Sequence, residues 1–149
     1  MAEANFKEGY NCSQAVFAAF SKEVGLPRQT ALQLASGFGG GIGRMREVCG
    51  AFSGAVMALG ALYGSDDPAH KTAVYAMVQE LAAKFKAETG SLICRELLGL
   101  DKPEGSPVAS PRTETYYKRR PCVEMVGLAA DLLEQYLAEH PVPRREANA

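Results

Sequence analysis

Along most of this chain apolar side chains recur at intervals of three and four residues, and nowhere do they alternate over the length of a strand. That period predicts helices, each with one apolar stripe. Asn11 is placed to cap a helix in which Cys12, Ala15, Val16, Ala19 and Phe20 share a face, with Gly25 and Pro27 as its stop. A short helix is expected over about 28–35, and a longer one from about Met45 to Tyr63, ended by Gly64. Asp66 or Asp67 would cap the next, with Pro68 in its first turn, and carry it to about Glu88. Its stripe of Tyr75, Met77, Val78, Leu81 and Phe85 reads as a buried face. Ser91 would cap a short helix through Leu98, closed by Gly99. The last helix starts at Pro121 and aligns Cys122, Met125, Val126, Ala129, Leu132, Leu133, Tyr136 and Leu137. The expected fold is all-α, an irregular bundle of about five or six helices. It forms one domain over residues 1–149, with a polar, frayed tail at 141–149.

Two segments interrupt the helices. Ser36-Gly37-Phe38-Gly39-Gly40-Gly41-Ile42-Gly43-Arg44 is too rich in glycine for regular structure. It lacks the lysine of a P-loop, and neither the spacing of its glycines nor a preceding strand supports a dinucleotide fingerprint. The reading that remains is close backbone approach. Gly50, Gly54 and Ala58 extend it as a row of small residues on which a second backbone can pack. The other interruption contains Pro103, Pro107 and Pro111 and continues to Lys118-Arg119-Arg120-Pro121. A structureless connection of roughly 20 residues in a compact domain is unusual and often functional.

Composition excludes several functions. Sixteen Lys and Arg against seventeen Asp and Glu give a net charge of −1 at pH 7, so nothing in the overall charge favours nucleic acid. The longest apolar run, Val48 to Tyr63, is interrupted by Ser53 and too short for a membrane span. No secretory signal is apparent at the N-terminus, and a cytoplasmic protein with reduced thiols is expected.

Four cysteines remain to be explained: Cys12, Cys49, Cys94 and Cys122. No C-x-x-C joins any two of them, and no C-x-x-C-H is present for haem attachment. Taken singly, each is most simply a small core residue. Their positions point elsewhere, because each falls at or near a predicted helix start. Unpaired N–H groups and the positive dipole end stabilise thiolate there, and thiolate is the form that attacks disulfides and ligates metals. In an up-and-down bundle alternate helix starts share one end, which gathers Cys12, Cys49 and Cys94. Cys122 joins them only if the proline-containing connection crosses back over the bundle, and its extended reach allows that.

The order Asn11-Cys12-Ser13-Gln14-Ala15-Val16, Gly37-Phe38-Gly39-Gly40-Gly41-Ile42-Gly43, Val48-Cys49-Gly50-Ala51-Phe52-Ser53-Gly54-Ala55, Cys94-Arg95-Glu96-Leu97-Leu98-Gly99, Cys122 resembles the redox-active protein family named for its cysteine pattern, C-GCAxxG-C-C. The likeness runs from about Phe6 to Leu137. It implies four characteristic cysteines and a relation to a domain of split-Soret-type cytochromes, where an iron–sulfur site has been suggested. The haem-attachment part is absent here, so no haem is implied. Family members often carry glycine near the position of Arg46, so Arg44 and Arg46 add positive charge beside the loop.

The leading expectation is a small redox protein in which Cys12, Cys49, Cys94 and Cys122 ligate an iron–sulfur cluster or another metal for electron transfer. Gly39, Gly40, Gly41, Gly43 and Arg44 then stand around the cofactor, their backbone N–H groups aimed at sulfur. Two alternatives stand beside it: metal-free thiol–disulfide exchange by two cysteine pairs, and a structural zinc site in an interaction module. His70 and His140 show no ligand spacing, Tyr116 and Tyr117 read as anchors of the long connection, and Lys118-Arg119-Arg120 reads chiefly as a solvated run. A redox partner protein is expected but not named by the sequence, and a homo-oligomer is compatible with it.

Overall fold

The computed structural model describes residues 1–100 and 105–143, and among them the fold is all-α. In chain order the helices are α1 (Ala2–Lys7), α2 (Cys12–Ala19), α3 (Ser21–Val24), α4 (Arg28–Ala35), α5 (Gly50–Tyr63), α6 (Lys71–Thr89), α7 (Cys94–Leu97), α8 (Glu114–Arg119) and α9 (Cys122–Glu139). One turn of 3-10 helix, Pro68–His70, leads into α6 behind the cap Asp67. Extended pairing among the described residues is limited to an isolated antiparallel bridge between Val48 and Ile93.

Helix α2 lies at the centre and packs against α1, α4, α5 and α9. Its start is fixed by a reciprocal cap. The Asn11 side chain accepts from the Gln14 N–H at 2.9 Å, and the Gln14 side chain accepts from the Asn11 N–H at 3.1 Å. Ser13 is fully buried and donates to the Ala35 carbonyl at 2.7 Å, while Gln14 donates to the Leu32 carbonyl at 3.0 Å. These bonds tie α2 to the end of α4. Asn5, also buried, donates to the Ala15 carbonyl and so ties α1 to α2. Below them lies one apolar core containing Phe6, Val16, Leu59, Phe85, Val126 and Leu133.

The row of small residues on α5 performs the expected packing. A Cβ at Gly54 would lie 2.7 Å from the Ser13 carbonyl oxygen, and one at Gly50 would lie 3.2 Å from the Cys12 Cβ. The two backbones approach closely because those side chains are missing.

Several expectations are corrected. The long helix begins at Gly50, not Met45, because residues 44–49 turn back along the glycine loop. Helix α1 carried no periodic signal, yet it buries Phe6 completely. The connection expected to be structureless contains α8. Tyr75 is 61% exposed, so the buried stripe of α6 narrows to Leu81 and Phe85, with Met77 and Val78 at its margin. Pro103 and residues 144–149 of the tail lie outside the described residues.

Two glycines of the same helix separate close packing from simple helix propensity. Gly54→Ala should lower stability by about 1–3 kcal/mol, because backbone must move to admit the methyl group. A Cβ at Gly60 would meet nothing within 4 Å. Gly60→Ala should therefore raise stability by up to about 1 kcal/mol. Denaturant midpoints at unchanged slope measure both.

Candidate functional site

The glycine segment forms a left-handed turn. Gly40, Gly41, Ile42, Gly43 and Arg44 have φ between 55° and 73°, and Arg46 follows at 62°. Glycine adopts this conformation freely, whereas Ile42, Arg44 and Arg46 are each strained by on the order of 1 kcal/mol or more. The turn is held by its own backbone: the N–H groups of Gly43, Arg44, Arg46 and Glu47 donate to the carbonyls of Gly37, Gly39, Gly40 and Gly41 at 2.8–3.2 Å. Gly41 sits where a Cβ would meet the Glu47 nitrogen, the Arg46 Cα and the Cys94 Cβ at 2.6–2.7 Å. Gly39 packs against the Asn11 side chain in the same way. The loop thus rests directly on the elements that carry Cys12 and Cys94.

Each cysteine opens a helix. Cys12, Cys94 and Cys122 are the first residues of α2, α7 and α9, and Cys49 is the N-cap of α5. The bridge at Val48 and Ile93 aligns two of them: Cys49 donates its N–H to the Leu92 carbonyl at 2.7 Å, and Cys94 donates to the Glu47 carbonyl at 2.6 Å. Cys122 arrives by the crossover. Arg44 donates to the Ser106 carbonyl and the Ser110 hydroxyl, both at 2.9 Å, which fastens the connection over the loop. Arg112 donates to the carbonyls of Phe6 and Tyr10 at 3.0 Å and lies 4.1 Å over the Phe6 ring. Tyr116 and Tyr117 pack against the same ring, so the tyrosine pair does anchor the connection.

The result is a cavity of about 410 Å³ whose wall includes Cys12, Cys49, Cys94 and Cys122. Gly39, Gly40, Gly41, Gly43 and Arg44 line the same space. Cys49 and Cys94 are buried, and Cys12 and Cys122 are half-buried.

The four thiols are not equivalent. Helix starts were expected to favour thiolate at all of them, but burial outweighs that effect at Cys49 and Cys94. It pushes Cys49 up to about 11 against the N–H groups of Phe52 and Ala51, and raises Cys94 against Arg46, whose Nη1 lies 3.8 Å from the sulfur. Cys12 and Cys122 act on each other more strongly than anything else acts on either. Their side-chain interaction raises Cys12 well above an ordinary thiol and lowers Cys122, with Arg120 and the Tyr116 hydroxyl also favouring the Cys122 thiolate. Tyr116 is itself raised to about 12 by burial and by the Cys122 charge. Arg120 and Tyr116 were missed as site residues. The available signal was the position of Arg120, two residues before a cysteine that opens a helix.

The family model described as "Putative redox-active protein (C_GCAxxG_C_C)" matches residues 10–136. The chain belongs to this family. No curated protein and no solved structure matches it. Among the described residues no helix is long and apolar enough to cross a membrane.

Thiolate character divides the four cysteines of this family member. Alkylation of Cys122 should accelerate as pH rises through about 7, since the reactive thiolate exists above that value. Cys12→Ser should move the midpoint upward by weakening the largest stabilising contact. Mass spectrometry of single-site alkylation across pH 5–10 reads both.

Proposed function

We propose that this redox-active protein works by thiol–disulfide exchange, with Cys122 as the attacking thiolate and Cys12 as the thiol that resolves the mixed disulfide. The observation that carries this reading is the side-chain contact between Cys12 and Cys122, the first residues of α2 and α9, in the wall of one cavity. Such a pair supplies one sulfur that is ionised near neutral pH and one that holds its proton. Cys94 is in turn the thiol with the largest charge effect on Cys49. On Cys94, in turn, the thiol with the largest charge effect is Cys122, so all four sulfurs are near enough to influence one another. Among the described residues, no three Cys, His, Asp or Glu side chains converge as they would around one metal ion.

Within the pair the chain's own groups have defined roles. Arg120 and Tyr116 hold charge and proton density toward the Cys122 sulfur. The glycine loop admits Cys12 and Cys94 to the same cavity by having no side chains of its own at the contact points. Burial favours the protonated thiol at Cys49 and Cys94.

A second reading is favoured by the presence of all four cysteines in the wall of one cavity. In it, Cys12, Cys49, Cys94 and Cys122 hold an iron–sulfur cluster. The soft donor set fits such a group, and the N–H groups at Cys49 and the Arg46 guanidinium at Cys94 are contacts of the kind that tune one. The cluster would supply one-electron transfer.

One preparation separates the two readings. Protein purified without oxygen should be colourless and free of iron, zinc and sulfide, with four titratable thiols. Stoichiometric oxidation should then remove two thiols, and peptide mapping should place the new disulfide at Cys12–Cys122. Iron and acid-labile sulfide in stoichiometric amounts, lost together in Cys49→Ser, would establish the cluster instead.

A further inference from the structure

The cavity's charge and size point to what it admits. Arg44, Arg46, Arg112 and Arg120 all line it, and its described lining residues include no Asp or Glu. At about 410 Å³ it has the dimensions of a small-molecule site. A folded partner could insert only an extended tip. Leu97, Leu98, Met125 and Pro107 add an apolar share to the wall, as such sites usually have.

The arginines are engaged differently. Arg44 fastens the crossover through Ser106 and Ser110, Arg46 reaches Cys94, and Arg112 spends two nitrogens on the carbonyls of Phe6 and Tyr10. Arg120 is half-buried, lies 5.5 Å over the Tyr116 ring and forms no ion pair among the described residues. It lines the same cavity as Cys122 and stands two residues before it in the chain. A guanidinium held by a ring face, beside a reactive sulfur, is placed to receive an anionic group on whatever that sulfur attacks.

We propose that the cavity binds a small anionic disulfide, with Arg120 as the side chain that recognises its negative charge and Cys122 as the sulfur that attacks it. This rests on the thiol–disulfide reading and names its substrate class. The Cys122 thiolate attacks one sulfur of the bound R–S–S–R. A Cys122–S–S–R bond forms, the R–S–S–R bond breaks, and the first R–S⁻ takes the proton of Cys12. The Cys12 thiolate then attacks the Cys122 sulfur, forming the Cys12–Cys122 disulfide and expelling the second R–S⁻, which takes a proton from water. The substrate gains two electrons and two protons, and the protein dithiol loses two electrons. An external dithiol returns the protein to its reduced form.

The test uses pre-reduced full-length protein in single turnovers with three disulfides: glutathione disulfide (anionic), bis(2-hydroxyethyl) disulfide (neutral) and cystamine (cationic). Each rate is divided by that of a free small thiol with the same disulfide, which removes differences in intrinsic reactivity. The anionic disulfide should lead at low salt, and added salt should shrink its lead. Arg120→Gln slows all three by weakening the Cys122 thiolate, so the ratio of anionic to neutral rates isolates recognition. That ratio should fall roughly tenfold in Arg120→Gln, the loss of one charge-assisted contact, and largely survive in Arg120→Lys. Reaction of the wild type without an anionic preference, or a ratio unchanged in Arg120→Gln, overturns the proposal and leaves thiol–disulfide exchange standing. No acceleration with any of the three overturns both.

Discussion

The structure depends on one close approach of backbones. Gly39 and Gly41 let a left-handed turn rest against Asn11 and Cys94, and Gly50 and Gly54 let α5 rest against the start of α2. Side chains at these points would push apart the helix starts that carry Cys12, Cys49 and Cys94. The turn is strained at Ile42, Arg44 and Arg46, and the hydrogen bonds that Gly43, Arg44, Arg46 and Glu47 donate to the carbonyls of Gly37, Gly39, Gly40 and Gly41 hold it in place. Packing rigidity and sulfur geometry therefore share one cause.

Electrostatics at the site follows from a contest between burial and local donors. Helix starts offer N–H groups, but at Cys49 and Cys94 the loss of water around the sulfur is the larger effect. At Cys122 the balance reverses, because Cys12, Arg120 and Tyr116 together outweigh the burial of the sulfur. The same fold thus produces one thiol ready to ionise and three that resist it. That asymmetry is what a dithiol exchange centre needs, since the attacking and resolving sulfurs have different tasks.

The crossover gives the site its last wall. Arg112 inserts between the Phe6 ring and the Tyr10 carbonyl, and Arg44 ties down Ser106 and Ser110. Both arginines use their donors on backbone or hydroxyl oxygen and bring positive charge to the cavity. The segment expected to bring Cys122 back over the bundle therefore also delivers much of the charge around it.

Helix periods, breakers and caps made most of the fold legible in the sequence: α4 was bounded correctly, and Asn11, Gly25, Gly64 and Asp67 end or begin helices by local chemistry that needs no distant partner. The same local logic placed Cys12, Cys94 and Cys122 at helix starts, left Cys49 one turn inside its helix, and joined the chain to its family. It failed where distant contacts override local preference. The helix expected from Met45 is delayed to Gly50 because residues 44–49 bond to the glycine loop and to 92–95. The short α1 forms with Phe6 buried beneath Arg112, Tyr116 and Tyr117, residues more than a hundred positions away. Which thiol ionises, and which arginine faces it, was decided only by tertiary structure. Burial and charge at a sulfur are sums over neighbours from several helices, and no segment of sequence contains that sum.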